Sequence, residues 1–240
     1  MKHFYLKLSG FFLLFLISNI IYAQPVGSNR SNPINVGAFP RAEYSDTRNN
    51  SSGNGYGNDM GQISDDIYYK INVTVPGELE VATCMSTMDT YIHVLDDNGN
   101  AIASNDDNDM CANYYQSFLR INVNPGTYYV VTEGWYNRTG DIRVYINLVR
   151  FGAIARLPIE IGALQQGGSY SDVQNNSANQ YFYNNIGYSS DDIYYRFTIN
   201  TQSDVDISLC ASNFDTYLRL LDQNLNEIAS NDDWALYVLI

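Results

Sequence analysis

The residues best suited to chemistry in this chain are short, oxygen-bearing and used twice. Asp89, Asn105, Asp106 and Asp107 recur as Asp215, Asn231, Asp232 and Asp233. Calcium takes six to eight oxygens from carboxylates, amides and carbonyls, so this set has the right chemistry for it. The same side chains also cap turns by bonding nearby backbone, and both readings stand on the sequence alone. An EF-hand does not fit, because Asp96-Asp97-Asn98-Gly99 lacks the alternating ligands of that loop.

Three cysteines form the next set. Cys84 and Cys111 lie 27 residues apart and are expected to pair if the chain is exported, because disulfides persist in oxidising compartments. The competing reading is three buried thiols. Cys210 repeats Cys84, and its partner would fall near residue 237, where no cysteine stands. Tyr114, Tyr115, Trp135 and Tyr136 are loop aromatics of the kind that stack on sugar or peptide, or that pack around a disulfide loop.

Catalysis finds little support. Of the two histidines, His3 lies in the apparent leader, which leaves His93. His93 alternates with Ile92 and Val94 and is expected to face solvent from a strand. There is no zinc-ligand spacing and no glycine-rich phosphate loop. The carboxylate pairs Asp65/Asp66 and Asp106/Asp107 occur in duplicate, which suits a role in each copy better than one active centre. The chain reads as a non-enzyme.

These residues sit in an internal repeat. Ser64–Asp107 aligns without gaps on Ser190–Asp233, and 21 of the 44 positions are identical. A period of 126 residues marks a tandem domain, not a solenoid unit. The expected division is 1–23 leader, 24–150 first domain and 151–240 second domain. Within each copy the apolar residues alternate. Ile67, Tyr69, Ile71 and Val73 share one face of a strand, as do Ile193, Tyr195, Phe197 and Ile199. Leu79/Val81, Tyr91–Leu95, Leu119/Ile121/Val123, Thr127–Thr132 and Ile142–Leu148 continue the pattern, with turns at Pro76-Gly77, Asn98-Gly99 and Pro125-Gly126. No helical period competes. Many short strands between such turns predict an all-β fold of two tandem β-sandwiches. The counterpart of Leu148 would be residue 274, so the strands matching Ser117–Leu148 are expected to be missing and the second sandwich to be truncated.

Met1–Ala23 has the form of a secretory signal, with Lys2 and Lys7 ahead of the apolar run from Phe11 and a small residue at Ala23. An uncleaved anchor is the competing reading, but the run is short for a span and broken by Ser18-Asn19. The product is expected to be secreted or held at the cell surface, with no membrane contact after cleavage. Lys plus Arg number 13 against 26 Asp plus Glu; without Lys2 and Lys7 the balance is 11 against 26, a net charge of −15. Such a surface repels phosphate backbones, which argues against nucleic acid as a partner.

Several motifs in order resemble the bacterial pre-peptidase C-terminal domain. They are Asp66-Ile67-Tyr68-Tyr69, Asp89-Thr90-Tyr91-Ile92, Leu95–Asn100, Ile102–Asp107 and Asn124–Val131. The likeness is to the tandem copies in secreted proteins of the Bacteroidetes group, and covers nearly all of the first copy and two thirds of the second. It implies a jelly-roll-like sandwich, non-catalytic, appended to exported enzymes, sometimes binding calcium or an extracellular polysaccharide or protein polymer. No peptidase domain accompanies it here. Three roles follow as expectations: an accessory binding module, an appendage of a secreted peptidase or other hydrolase lying outside this chain, or a repeat of an adhesion protein.

Overall fold

The computed structural model describes residues 23–233 and 235–240. Residues 1–22, all but the last residue of the expected leader, and Trp234 lie outside the described residues. Among the described residues, no helix is long and apolar enough to cross a membrane.

The fold is all-β, as the alternation predicts. Nine strands make up the first unit: β1 (Ile34–Phe39), β2 (Tyr44–Asn49), β3 (Ile67–Val73), β4 (Gly77–Ala82), β5 (Thr90–Leu95), β6 (Ala101–Asn105), β7 (Phe118–Val123), β8 (Gly126–Gly134) and β9 (Asp141–Arg150). One sheet has the order β1-β3-β8-β5-β6 and the other β2-β9-β4-β7. Consecutive strands change sheet at every step except the β5–β6 hairpin, the alternation of a jelly-roll-like sandwich. All pairings are antiparallel except β1 with β3. The parallel pair has a bulge at Gly37, whose φ of 99° suits glycine. Period two places Ile67, Tyr69, Ile71, Val73, Ile92, Val94 and Val130 on one inner face. Leu79, Val81, Leu119, Val123, Ile142, Val144, Ile146 and Leu148 line the other, and the two faces close one core.

The outer face of the five-stranded sheet is also covered. Tyr68, Leu95, Tyr129 and Val131 are buried there, with Met60 packed on them. The polar lead-in supplies part of the cover: the Tyr68 N–H donates to the Gly27 carbonyl, the Gly57 N–H to the Ser28 carbonyl, and Arg30 donates to the Asp97 carbonyl.

The second unit repeats fragments of this plan. Its strands are β10 (Ile159–Leu164), β11 (Tyr195–Ile199), β12 (Asp204–Ile207), β13 (Leu218–Leu221), β14 (Glu227–Asn231) and β15 (Leu236–Leu239). β10 and β11 pair in parallel, with the bulge now at Gly162, and β13 pairs β14 as β5 pairs β6. One expectation is corrected. β15 lies along β12 as β7 lies along β4, with Ile207 opposite Leu236 where Val81 faces Leu119. The first of the strands expected to be missing is therefore present. A fixed offset of 126 misses it, because Leu119 maps to Leu236 at an offset of 117, the intervening loop being nine residues shorter. Counterparts of β8 and β9 do not occur among the described residues. The units meet through Arg156, which bonds Glu78 and Glu80, and through Arg150, whose guanidinium lies 4.1 Å over Phe182.

Candidate functional site

The acidic residues of the first copy converge through hairpin register. Ile92 faces Asn105 across β5 and β6, which brings the residue before β5, Asp89, beside the residues after β6. One oxygen or more from each of Asp89, Asp106 and Asp107 lies within 4.8 Å of the others. Asp89 Oδ1 and Asp106 Oδ1 are buried and have no hydrogen-bond donor. Burial, then the charge of Asp107, then that of Asp89 push the Asp106 carboxyl up to about 6. Burial and then Asp107 raise Asp89 as well. Orphaned, crowded carboxylate oxygens fit a hard divalent ion, since Ca–O distances of about 2.4 Å put opposed ligands ~5 Å apart. Asn105 Oδ1 accepts the Phe118 N–H at 3.1 Å and fixes the start of β7.

The disulfide Cys84–Cys111 forms as expected, with sulfurs bonded across a 27-residue separation. It ties the end of β4 to the loop between β6 and β7. A buried hydroxyl network holds the same region: Thr83 Oγ1 and Thr90 Oγ1 are 2.7 Å apart, and Ser117 Oγ donates to the Thr90 carbonyl at 2.6 Å. The Trp135 N–H donates to the Asp89 carbonyl, and the Thr90 N–H to that of Tyr115. Trp135, Tyr136, Tyr114 and Tyr115 are therefore brought to the same end of the sandwich as the acids, and all four are exposed. Trp135 stacks on Tyr91 at 5.8 Å with the rings 19° apart.

The second copy is different. Asp215, Asn231, Asp232 and Asp233 border one shallow depression. Among the described residues, however, the first copy supplies the one group of three close carboxylates. The chain runs directly from β14 to β15 and lacks the disulfide-stapled loop that crowds Asp106 and Asp107. Cys210 is free and exposed.

His93 is the clearest miss. It is only 9 % exposed, and its Nε2 lies 2.8 Å from Oε1 of Glu133, which is fully buried. The outer sheet face is not solvent-facing, because the lead-in and the loop after β2 cover it. Asp66, opposite Glu133 in the β3–β8 register, is buried too, and the charge of Glu133 acts on it. Glu133 and Asp66 were legible only as acids at the ends of apolar strands; their burial follows from the cover.

Solved structures with related shape include the pre-peptidase C-terminal domain of a collagenase from Bacillus anthracis (13% identity, TM-score 0.34, covering 48% of this chain and 93% of that one). PliG, a periplasmic inhibitor of g-type lysozyme from Aeromonas hydrophila, is at 10% identity and a TM-score of 0.30, over 48% of this chain and 96% of its own. No curated protein matches the chain in sequence. Domains of the pre-peptidase C-terminal type are non-catalytic modules found in secreted proteins, and it is the family model of the bacterial pre-peptidase C-terminal domain that matches this chain, over residues 65–133.

Proposed function

We propose that this chain is a non-catalytic accessory module of an exported protein. In this reading the disulfide-stapled end of the first sandwich binds an extracellular polysaccharide or protein polymer. The observation that carries it is the gathering of four exposed aromatics and three close carboxylates at one end of a rigid sandwich. Aromatic faces stack on sugar rings or peptide side chains with little loss of rotamer freedom. The family match over residues 65–133 supports the accessory role, in a protein whose catalytic part, where there is one, lies elsewhere.

A calcium ion at Asp89, Asp106 and Asp107 belongs to the same reading, supported by the two buried oxygens without donors. Bound there, it would offset two of the three negative charges and tie the start of β5 to the loop after β6. The test is retention of the full chain on insoluble polysaccharide and on fibrous protein, with millimolar calcium or with chelator. Trp135→Ala/Tyr136→Ala should lower retention at least about tenfold, in line with loss of a stacking anchor. Equal retention of the variant on every matrix would remove the ligand face. Calcium should raise the melting temperature of the wild type and leave Asp106→Ala/Asp107→Ala unchanged; no shift in the wild type would remove the ion.

A further inference from the structure

Three ionisable side chains, Asp66, His93 and Glu133, sit together on the covered outer face of the five-stranded sheet. Asp66 lies just before β3 and opposite Glu133 of β8, because Ile67 pairs with Thr132. His93 of β5 reaches Glu133 diagonally, since Val131 is its direct partner. Their bonds run to the Gly57–Ser64 loop. Asp66 Oδ2 accepts the amides of Asp59 and Met60, the latter at 2.8 Å. Glu133 Oε2 accepts the amide of Gln62 at 3.2 Å, and Oε1 faces His93 Nε2. One atom is left over. Asp66 Oδ1 is buried with no donor.

Two carboxylates in mutual range cannot both ionise cheaply away from water. A proton between them removes the repulsion and gives Asp66 Oδ1 a partner. We propose that one proton held between Asp66 and Glu133 latches the Gly57–Ser64 loop onto the sheet, and that its loss weakens the latch. The geometry has the required asymmetry: Asp66 accepts the loop amides at Oδ2 and leaves Oδ1 without a donor, and Glu133 accepts the Gln62 amide at Oε2 while Oε1 faces His93. Other titratable groups around the cluster are Tyr68 on β3, Asp59 in the loop and Arg30 in the lead-in; Asp59 and Arg30 act on Tyr68 along with Asp66 and Glu133. Arg30 is spent on the Asp97 carbonyl and the Tyr129 ring. Among the described residues, no Lys or Arg pairs with either acid, and His93 bonds Glu133.

Burial, followed by the charge of Glu133, pushes Asp66 up to about 8, in agreement with the geometry. The proton belongs to the pair and not to one residue. The sign follows from linkage: a carboxyl raised in the closed form favours closure below its ordinary value and loses that contribution as pH rises through the raised one. Closure should therefore weaken about tenfold per pH unit up to about pH 8 and level off above it. The second unit supplies a control. Asp192 accepts the amides of Asn185 and Ile186 at 2.7 and 2.8 Å in the same turn, but among the described residues no β8 counterpart brings it a second acid. The latch also touches the proposed ligand face, because the loop holds the Tyr136 backbone through Gln62, Ile63 and Ser64. That consequence rests on the ligand reading; the latch does not.

Native-state hydrogen exchange of the full chain tests it, with rates divided by those of an unstructured chain to remove intrinsic pH dependence. The protection of the Met60 and Gln62 amides should fall roughly 100-fold between pH 6 and pH 8 and then stay flat. Asp66→Asn keeps both acceptor bonds and supplies a permanent donor to Glu133, so its protection should be level across that range. Glu133→Gln should be level too, and decides the matter if Asp66→Asn does not fold. Asp192→Asn should keep the wild-type slope. Level protection in the wild type, a wild-type slope in either neutral variant, or a slope abolished by Asp192→Asn would each overturn the latch.

Discussion

Tyr69 and Tyr195 occupy the same place in the two copies and make the same local contacts. Tyr69 meets Tyr44 edge-on at 6.2 Å and its hydroxyl approaches Asp46; Tyr195 meets Tyr170 edge-on at 6.3 Å and its hydroxyl donates to Asp172. Yet Tyr69 is 0% exposed and Tyr195 37%. The difference comes from elsewhere in the chain. β3 is flanked by β1 and β8 and packs into the core shared with the opposing sheet; among the described residues β11 has β10 alone. A repeat can conserve every neighbour in sequence and still leave a side chain wet, because burial in a sheet is decided by strands distant in sequence. The same lesson holds for the acids. Asp66 is buried beside Glu133 of β8, while Asp192, in the same turn, has no such neighbour.

This contrast can be broken by experiment. The largest effect is expected from Tyr69→Ala, which removes a buried aromatic and should lower stability by about 4 kcal/mol in urea unfolding of the full chain; Tyr195→Ala should lower it by less than ~1 kcal/mol. Equal losses would mean that the second unit is as well packed as the first. Next is the staple. Cys84→Ser/Cys111→Ser opens a 27-residue loop and should lower the stability of the first unit by about 3 kcal/mol, leaving Cys210 reactive to thiol reagents throughout. The smallest effect concerns the hairpin. Gly99 adopts φ 89° against Arg30, while its counterpart Leu225 is forced to φ 66°. Leu225→Gly should stabilise the second unit by about 1 kcal/mol, and Gly99→Leu should destabilise the first by at least as much, both read from melting temperatures.

Much of the fold was legible because its signals are local. Alternating apolar residues from Ile67 to Val73 and from Ile142 to Leu148 specify strands with one dry face, and Asn98-Gly99 specifies a turn. Asp89 and Asp106 were recognisable as site candidates for the same reason, since both flank strands and recur. Asn105 resembles them as an oxygen donor, and only the position of the Phe118 amide shows that its Oδ1 also fixes the start of β7. His93 looked solvent-facing because alternation reports that a residue is on the second face, not whether that face is covered. Nor does alternation reveal the parallel pairing of β1 with β3, or that β15 takes the place of β7 after a shortened loop.

The sequence by itself determined that the chain is all-strand, written twice, with two cysteines spaced to bridge and paired acids at strand ends. Those properties depend on residues within a strand or turn of one another, where side-chain period and backbone preference act directly. Only the tertiary structure decided which acids are buried, which tyrosines are dry and which aromatics share a face with Asp106. Solvent exclusion is a property of whole layers, and whether a charge on a strand meets water or another charge depends on what the rest of the chain lays over it.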